Sequence, residues 1–335
     1  MDSTTRRASL RAALGVAAAA SAVPAARSQQ RPVDDSAASY PDRSVRVLVP
    51  FAPGGGNDIL GRLYGQKLSE RFGQNFVVEN RPGAAGQVGT EQAIRARPDG
   101  YTLVVNPSGP ILANPGSDQP AYDVARDLAP IAVLATFPTF LLVAPESPFR
   151  TLEELVAWEK NSPGRGTYGF GGLVFQMLVE QINLRAGTRF QPVVYRGSID
   201  AINAVASRDL ALAVTDPGPA LAALEGRRVR ALAVSTPRRL ASLPEVPTLA
   251  EAGFPGLEQL SWIGVLAPAG TPRGVLAKLE TAVSEAAKAP DVRDRLRPLG
   301  MEPDGRGQEA FRRMIEEDNA TWRDVARRAG VNLTR

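Results

Sequence analysis

The sequence predicts an α/β fold of mainly parallel sheets flanked by helices, and three observations carry that expectation. Ser44 to Phe72 runs as a strand, a glycine-rich turn and an amphipathic helix in that order. Strand-like and helix-like segments then alternate along the rest of the chain. The composition, 44% hydrophobic and 22% charged over 335 residues, is that of a globular protein with room for two domains.

In the first unit, Val45, Val47 and Val49 alternate with Arg46 and Leu48, which suits a largely buried strand. Pro53, Gly54, Gly55 and Gly56 turn the chain. Asn57 is placed to cap a helix whose Ile59, Leu60, Leu63 and Leu68 share one face. Further strands are expected at 76–79, 101–106, 131–135, 140–144, 192–195, 210–215, 229–235 and 263–267. Helices are expected at 89–96, 152–160, 175–186, 199–207, 219–224, 273–288, 290–299 and 307–329. The last carries Phe311, Met314, Ile315, Trp322 and Val325 on an apolar stripe, as for an amphipathic helix packed on a core.

Residues 1–28 read as an export signal. Arg6 and Arg7 precede a short apolar run at 12–20, with small residues near Ala26 and Ser28. The pattern around the two arginines resembles a twin-arginine signal; a general secretory signal with a chance arginine pair is the alternative. Either route takes the chain out of the cytoplasm. Residues 29–43 read as a flexible polar lead-in. The apolar run 131–144 is split by Pro138 and too short to span a bilayer, so a soluble exported protein is expected.

Formal charge is +4, but Arg6, Arg7, Arg11 and Arg27 against Asp2 alone fall in the first thirty residues, leaving the remainder nearly neutral. With aromatics at 6%, a nucleic-acid partner is not expected. There is no cysteine and no histidine, which excludes thiolate nucleophiles, histidine general bases and the common zinc ligand sets. No cofactor and no metal are expected, and a binder is favoured over an enzyme.

Consecutive glycines at a helix start leave backbone N–H groups free to converge on an anion; a tight structural turn accounts for the same residues. The spacing matches neither GxGxxG nor GxxxxGK[ST], which disfavours a nucleotide and leaves a small carboxylate open. Ligands of open α/β sheets bind beyond the carboxyl ends of strands. Small polar loops are expected there at 106–109, 169–172, 195–198 and 215–218.

The stretches PFAPGGGNDILGRLYGQKL, VVENRPGAAGQVG, PDGYTL, VRALAVSTPRRLASLPEVPTLAEAGFPG and WIGVLAPAGTP resemble the solute receptors of tripartite tricarboxylate transporters, called Bug receptors, over essentially the whole mature chain. The resemblance implies a two-lobed type II periplasmic-binding-protein (venus-flytrap) fold, with 44–143 plus 263–335 as lobe one and 144–262 as lobe two. The chain would cross near Ala144 and near Trp262. It also implies a periplasmic monomer that takes a small mono- or dicarboxylate or an amino acid and serves membrane transporter subunits or a sensor kinase. A hydrolase on the same fold, using Asp58 and Tyr195, is the enzymatic alternative.

Carried over residue by residue, Pro53, Gly54, Gly55, Gly56, Asn57 and Asp58 form the carboxylate cradle. Ser108 and Gly109 occupy a small polar loop, Ser108 either donating to the ligand or stabilising its turn. Tyr195 and Gly197 match the family's Tyr-Lys-Gly, Tyr195 either closing over the ligand or filling the core of lobe two. Two places depart from the pattern. At 168–175 the loop is shortened and lacks hydroxyls. Amide donors remain at Gly171 and Gly172, while Phe170 and Phe175 suggest an apolar wall and a ligand with an apolar part. At 211–216 the register leaves Thr215 or Asp216 at the end-of-strand position, and Asp216 either holds a ligand ammonium or caps the next helix.

Overall fold

The computed structural model describes residues 38–113 and 122–331. The expected export signal, and the lead-in up to residue 37, lie outside the described residues. From Tyr40 the chain is already packed: its ring meets Tyr101 edge-on at 5.2 Å and its hydroxyl donates to Gly100 O at 2.8 Å. The lead-in therefore ends earlier than the expected residue 43, because an aromatic core residue interrupts its polar composition.

In chain order the first part contains β1 (Val45–Val49), α1 (Gly56–Phe72), β2 (Phe76–Asn80), α2 (Gln87–Ile94), β3 (Thr102–Pro107), α3 (Ser108–Ala113), α4 (Val124–Asp127) and β4 (Leu128–Phe137). The middle contains β5 (Phe140–Val143), α5 (Leu152–Asn161), β6 (Thr167–Phe170), α6 (Leu173–Ala186), β7 (Gln191–Val194), α7 (Ser198–Ala206), β8 (Leu212–Thr215), α8 (Pro217–Glu225) and β9 (Arg230–Val234). The chain ends with β10 (Ser261–Pro268), α9 (Arg273–Ala287), α10 (Pro290–Leu296), β11 (Glu302–Pro303) and α11 (Gln308–Ala329).

Two sheets result, in the orders β11-β4-β10-β3-β1-β2 and β7-β6-β8-β5-β9. Within the first, β1 to β4 all run one way, and β10 is inserted antiparallel between β3 and β4. The second repeats this plan, with β5 antiparallel between β8 and β9. In both sheets the inserted strand is the one that arrives from the other half. Both sheets are thus mixed: most strands of each run one way, as expected, but β10 and β11 in the first and β5 in the second run against them. Because β5 pairs with β8 and β9, the first change of sheet falls at residues 138–139, where Pro138 ends β4. That is ahead of the crossing expected near Ala144.

Each sheet is covered on both faces, which is why its strands read as near-continuous apolar runs. Val45, Val47 and Val49 pack with Leu60, Tyr64, Leu279 and Leu296 from α1, α9 and α10. On the opposite face, Leu48 and Val104 meet Ile111 of α3 and Phe311 and Trp322 of α11. Met177 of α6 shares that second cluster, so the terminal helix packs on both halves. In the second sheet, Leu155, Leu178 and Ile182 cover one face and Ile202, Val205 and Ala220 the other.

Candidate functional site

The expected cradle begins where β1 ends. Gly55 is the N-cap of α1 and carries no side-chain capping bond, while Asn57 lies inside the first turn. The expected capping role of Asn57 is therefore not found; the helix starts two residues earlier, with Gly56 already in helical geometry. Asn57 Oδ1 is instead buried without a partner. The amides of Gly56, Asn57 and Asp58 are first-turn donors with no acceptor inside the helix.

Asp58 is buried and turned inward. Its carboxylate accepts from Gly54 N–H at 3.0 Å, Arg62 Nε at 3.0 Å and Asn80 Nδ2 at 2.9 Å. Burial pushes this carboxyl up, but the bonds from Arg62, Gly54 and Asn80 outweigh it and hold it below the usual range. Asn80 also donates to Phe51 O at 3.1 Å, tying the turn to the end of β2. Asp58 thus shapes the turn, and the Gly54 amide is spent on it. Arg62 was missed from the sequence, where its i+4 spacing from Asp58 was the available signal.

In the other loop of the first sheet, Ser108 opens α3 as a buried residue, with Gly109 next to it. Asn106 just before it donates to Thr90 Oγ1 at 2.7 Å and leaves its own Oδ1 unpartnered.

On the second sheet the ends of β6, β7 and β8 come together. A Cβ on Gly171 would lie 2.5 Å from Gly197 Cα and 2.8 Å from Ser198 N, so the two loops touch backbone to backbone. Gly172 and Gly197 are the N-caps of α6 and α7, again without side-chain caps. Ser198 Oγ donates to Asp216 Oδ1. Asp216 occupies the N-cap position of α8 but makes no capping bond, so the reading of its side chain as a helix cap does not hold. Burial raises its pKa, opposed by the Ser198 hydroxyl and a backbone hydrogen bond, and among the described residues no cation lowers it. Thr215 beside it is fully buried with Oγ1 unpartnered. Ser198 joins this cluster as a residue absent from the expected site.

Tyr195 is half-buried and packs with Val193, Ala201 and Leu210; its ring edge lies 3.0 Å from the Cβ position of Gly169. The 168–172 segment is not all loop: Tyr168 to Phe170 belong to β6. Phe170 and Phe175 are buried with Leu141, Leu178 and Leu212, so the expected apolar wall is interior packing. Their neighbouring glycines had made a core strand look like a loop.

The glycines at these helix starts differ in what they require. Gly54 is left-handed at φ 89°, and a Cβ on Gly56 would meet Met301 Cε at 2.6 Å. At Gly55 the nearest atom to an added Cβ is Ala52 O at 3.9 Å, and at Gly197 nothing lies within 4 Å. The space beside Gly55 and Gly197 is open. By contrast, a roomy surface groove of about 700 Å³ along α2 contains none of the expected site residues. Its Arg46 and Arg95 already pair with Glu79 and Glu91.

A family described as "Tripartite tricarboxylate transporter family receptor" matches residues 60–331. The chain belongs to that family. The matched region starts just past the glycine turn and includes all three loops of the second sheet. Protein BugT of Bordetella pertussis is 31% identical over 302 residues, 89% of this chain and 93% of the relative. An R. palustris protein solved with adipate superposes at TM-score 0.77 and 33% identity, covering 87% of this chain and 98% of the other. MatC from Rhodopseudomonas palustris, solved with bound malate, does so at 0.74 and 31%, covering 85% and 99%. The fold of this receptor is thus the two-lobed α/β fold of periplasmic binding proteins, as the strand orders indicate. Among the described residues no helix is long and apolar enough to cross a membrane, and no group of three acidic residues stands in metal-binding array.

Proposed function

We propose that this receptor works in the periplasm, where it captures a small organic carboxylate between its two sheets and presents it to membrane subunits of its transporter. The observation that carries the reading is Gly55: a glycine that neither backbone angle nor packing demands, beside first-turn amides without acceptors. Gly197 repeats it on the second sheet, at the start of α7. The adipate and malate found in two relatives are the right class of ligand. Closure of the lobes passes a signal only if the ligand binds the closed arrangement better. A thermal-shift series of the mature protein with adipate, malate, succinate and amino acids tests this. One or more carboxylates is expected to raise the melting temperature with concentration; no shift across the series would overturn the reading.

Asp216 refines the ligand class. A half-buried carboxylate that accepts from the Ser198 hydroxyl suits a ligand that carries a donor, ammonium or hydroxyl, away from its own carboxylate. The sign of the pH dependence separates the two kinds. An ammonium ligand needs Asp216 ionised, so its affinity falls as pH drops through the raised pKa, by at most about tenfold per unit. A plain dicarboxylate is repelled by ionised Asp216 and gains affinity over the same interval. Titration calorimetry over that interval, above the ligand's own carboxylate pKa, reads the sign. Asp216→Asn should flatten either trend; a slope that survives the substitution would remove Asp216 from the site.

A further inference from the structure

Two residues outside every expected site position link the starts of α1 and α8. Gly300 follows a tight turn at Arg297–Leu299 and is left-handed, with φ 66°. Met301 is buried in the cluster between the first sheet and α1, α9 and α10. Its Cε occupies the space beside Gly56, where a Cβ would come within 2.6 Å. The next residues form β11, with Glu302 opposite Thr136 and Pro303 opposite Ala135 on β4. Before the turn, Leu296 lies in the same buried cluster, and its carbonyl accepts from Met301 N–H at 3.2 Å. The segment is therefore fastened to the first sheet on both sides. Its tip meets the second half: a Cβ on Gly300 would lie 2.5 Å from Pro217 Cβ and 3.0 Å from Leu221 Cδ1. Pro217 is the first residue of α8 and directly follows Asp216.

We propose that Gly300 and Met301 form a strut that positions the start of α8 against the start of α1 and so sets the width of the space between the two sheets. The physical reason is close packing. Interiors at crystal-like density transmit displacement rather than absorb it, and helices in contact shift between discrete seatings. Glycine at the tip gives the shortest strut; any side chain there lengthens it and holds α8 away. α11 also spans the halves, but it does so through α6, so the two contacts act on different helices of the second sheet. The consequence for affinity rests on the carboxylate reading above. The strut itself is a statement about the chain without ligand.

The chain contains no cysteine, so paired spin labels can be placed at Val88→Cys on α2 and Ile199→Cys on α7, both exposed positions. Label-to-label distances are then compared in ligand-free protein with and without Gly300→Asn. Asparagine tolerates the left-handed conformation, so the change adds bulk against Pro217 with little backbone strain. The distribution is expected to shift or broaden by roughly 2 Å or more, the scale of a domain rearrangement. A distribution that matches the parent would overturn the strut. Leu221→Ala loosens the contact from the opposite side, where Pro217 remains, and leaves the turn intact. It is expected to broaden the distribution, and it decides the matter if Gly300→Asn does not fold. A shifted distance, where the unlabelled parent protein binds no carboxylate, would keep the strut and refute the carboxylate reading. Carboxylate binding with unmoved distances in both variants would do the reverse.

Discussion

Leucine at position 55 is expected to weaken carboxylate binding by roughly 100-fold or more, since two lost charge-assisted hydrogen bonds come to about 3 kcal/mol. The same substitution should change folding stability by no more than about 0.5 kcal/mol, as for an exposed site. The contrast follows from how the three consecutive glycines differ. Gly54 is required by its backbone angle, and a Cβ on Gly56 would have to push aside the methyl of Met301, the far end of a flexible side chain. Gly55 has φ −80° and ψ 169°, which any residue adopts, and open space where its side chain would be. A leucine there covers the amides of α1's first turn and touches little else. Calorimetric affinity and a melting curve on the same preparation separate the two effects. Unchanged affinity would move the ligand away from this turn, whereas lost affinity with a lowered melting temperature would mean the fold had needed the glycine after all.

Much of this architecture is legible in the amino-acid order, and the failures share a cause. Val45, Val47, Val49 and Leu48 announce a strand buried on both faces, and the structure places them in two different clusters as that pattern requires. The glycine turn and the helix after it are equally plain, because they depend on neighbours in sequence. What escapes is decided by distant atoms. Gly169 reads as a loop residue, yet it sits in β6, where Leu210, Tyr195 and Ala201 leave no room for a Cβ. Phe170 and Phe175, next to glycines, looked like cleft walls and are core. Asp216 has the sequence position of a cap, but Ser198, eighteen residues earlier, claims its carboxylate. Gly300 and Met301 carry no local signal, since the groups they touch lie at Pro217 and Gly56. Local chemistry thus discloses the elements and the glycine turn; long-range contacts decide how the residues around it pack.

Alanine at Gly171 is the second large effect, expected to cost about 1–3 kcal/mol of stability, the usual range for overpacking a close contact. Carboxylate affinity should fall with it. The added methyl would enter at 2.5 Å from Gly197 Cα, 2.6 Å from its carbonyl carbon and 2.8 Å from Ser198 N. All three are backbone atoms, which cannot rotate aside as the end of a side chain can. The start of α7 must move off the end of β6, and Ser198 moves with it, breaking or stretching its hydrogen bond to Asp216. Gly172→Ala is the matched control, because its methyl would meet only Phe175, at an ordinary 3.5 Å. Urea unfolding of the two variants should give a lowered midpoint for Gly171→Ala with an unchanged slope, and a near-parental curve for Gly172→Ala. Equal curves would mean that these loops are not clamped backbone to backbone, and the grouping of Gly171, Gly197, Ser198 and Asp216 into one half of the site would lose its footing.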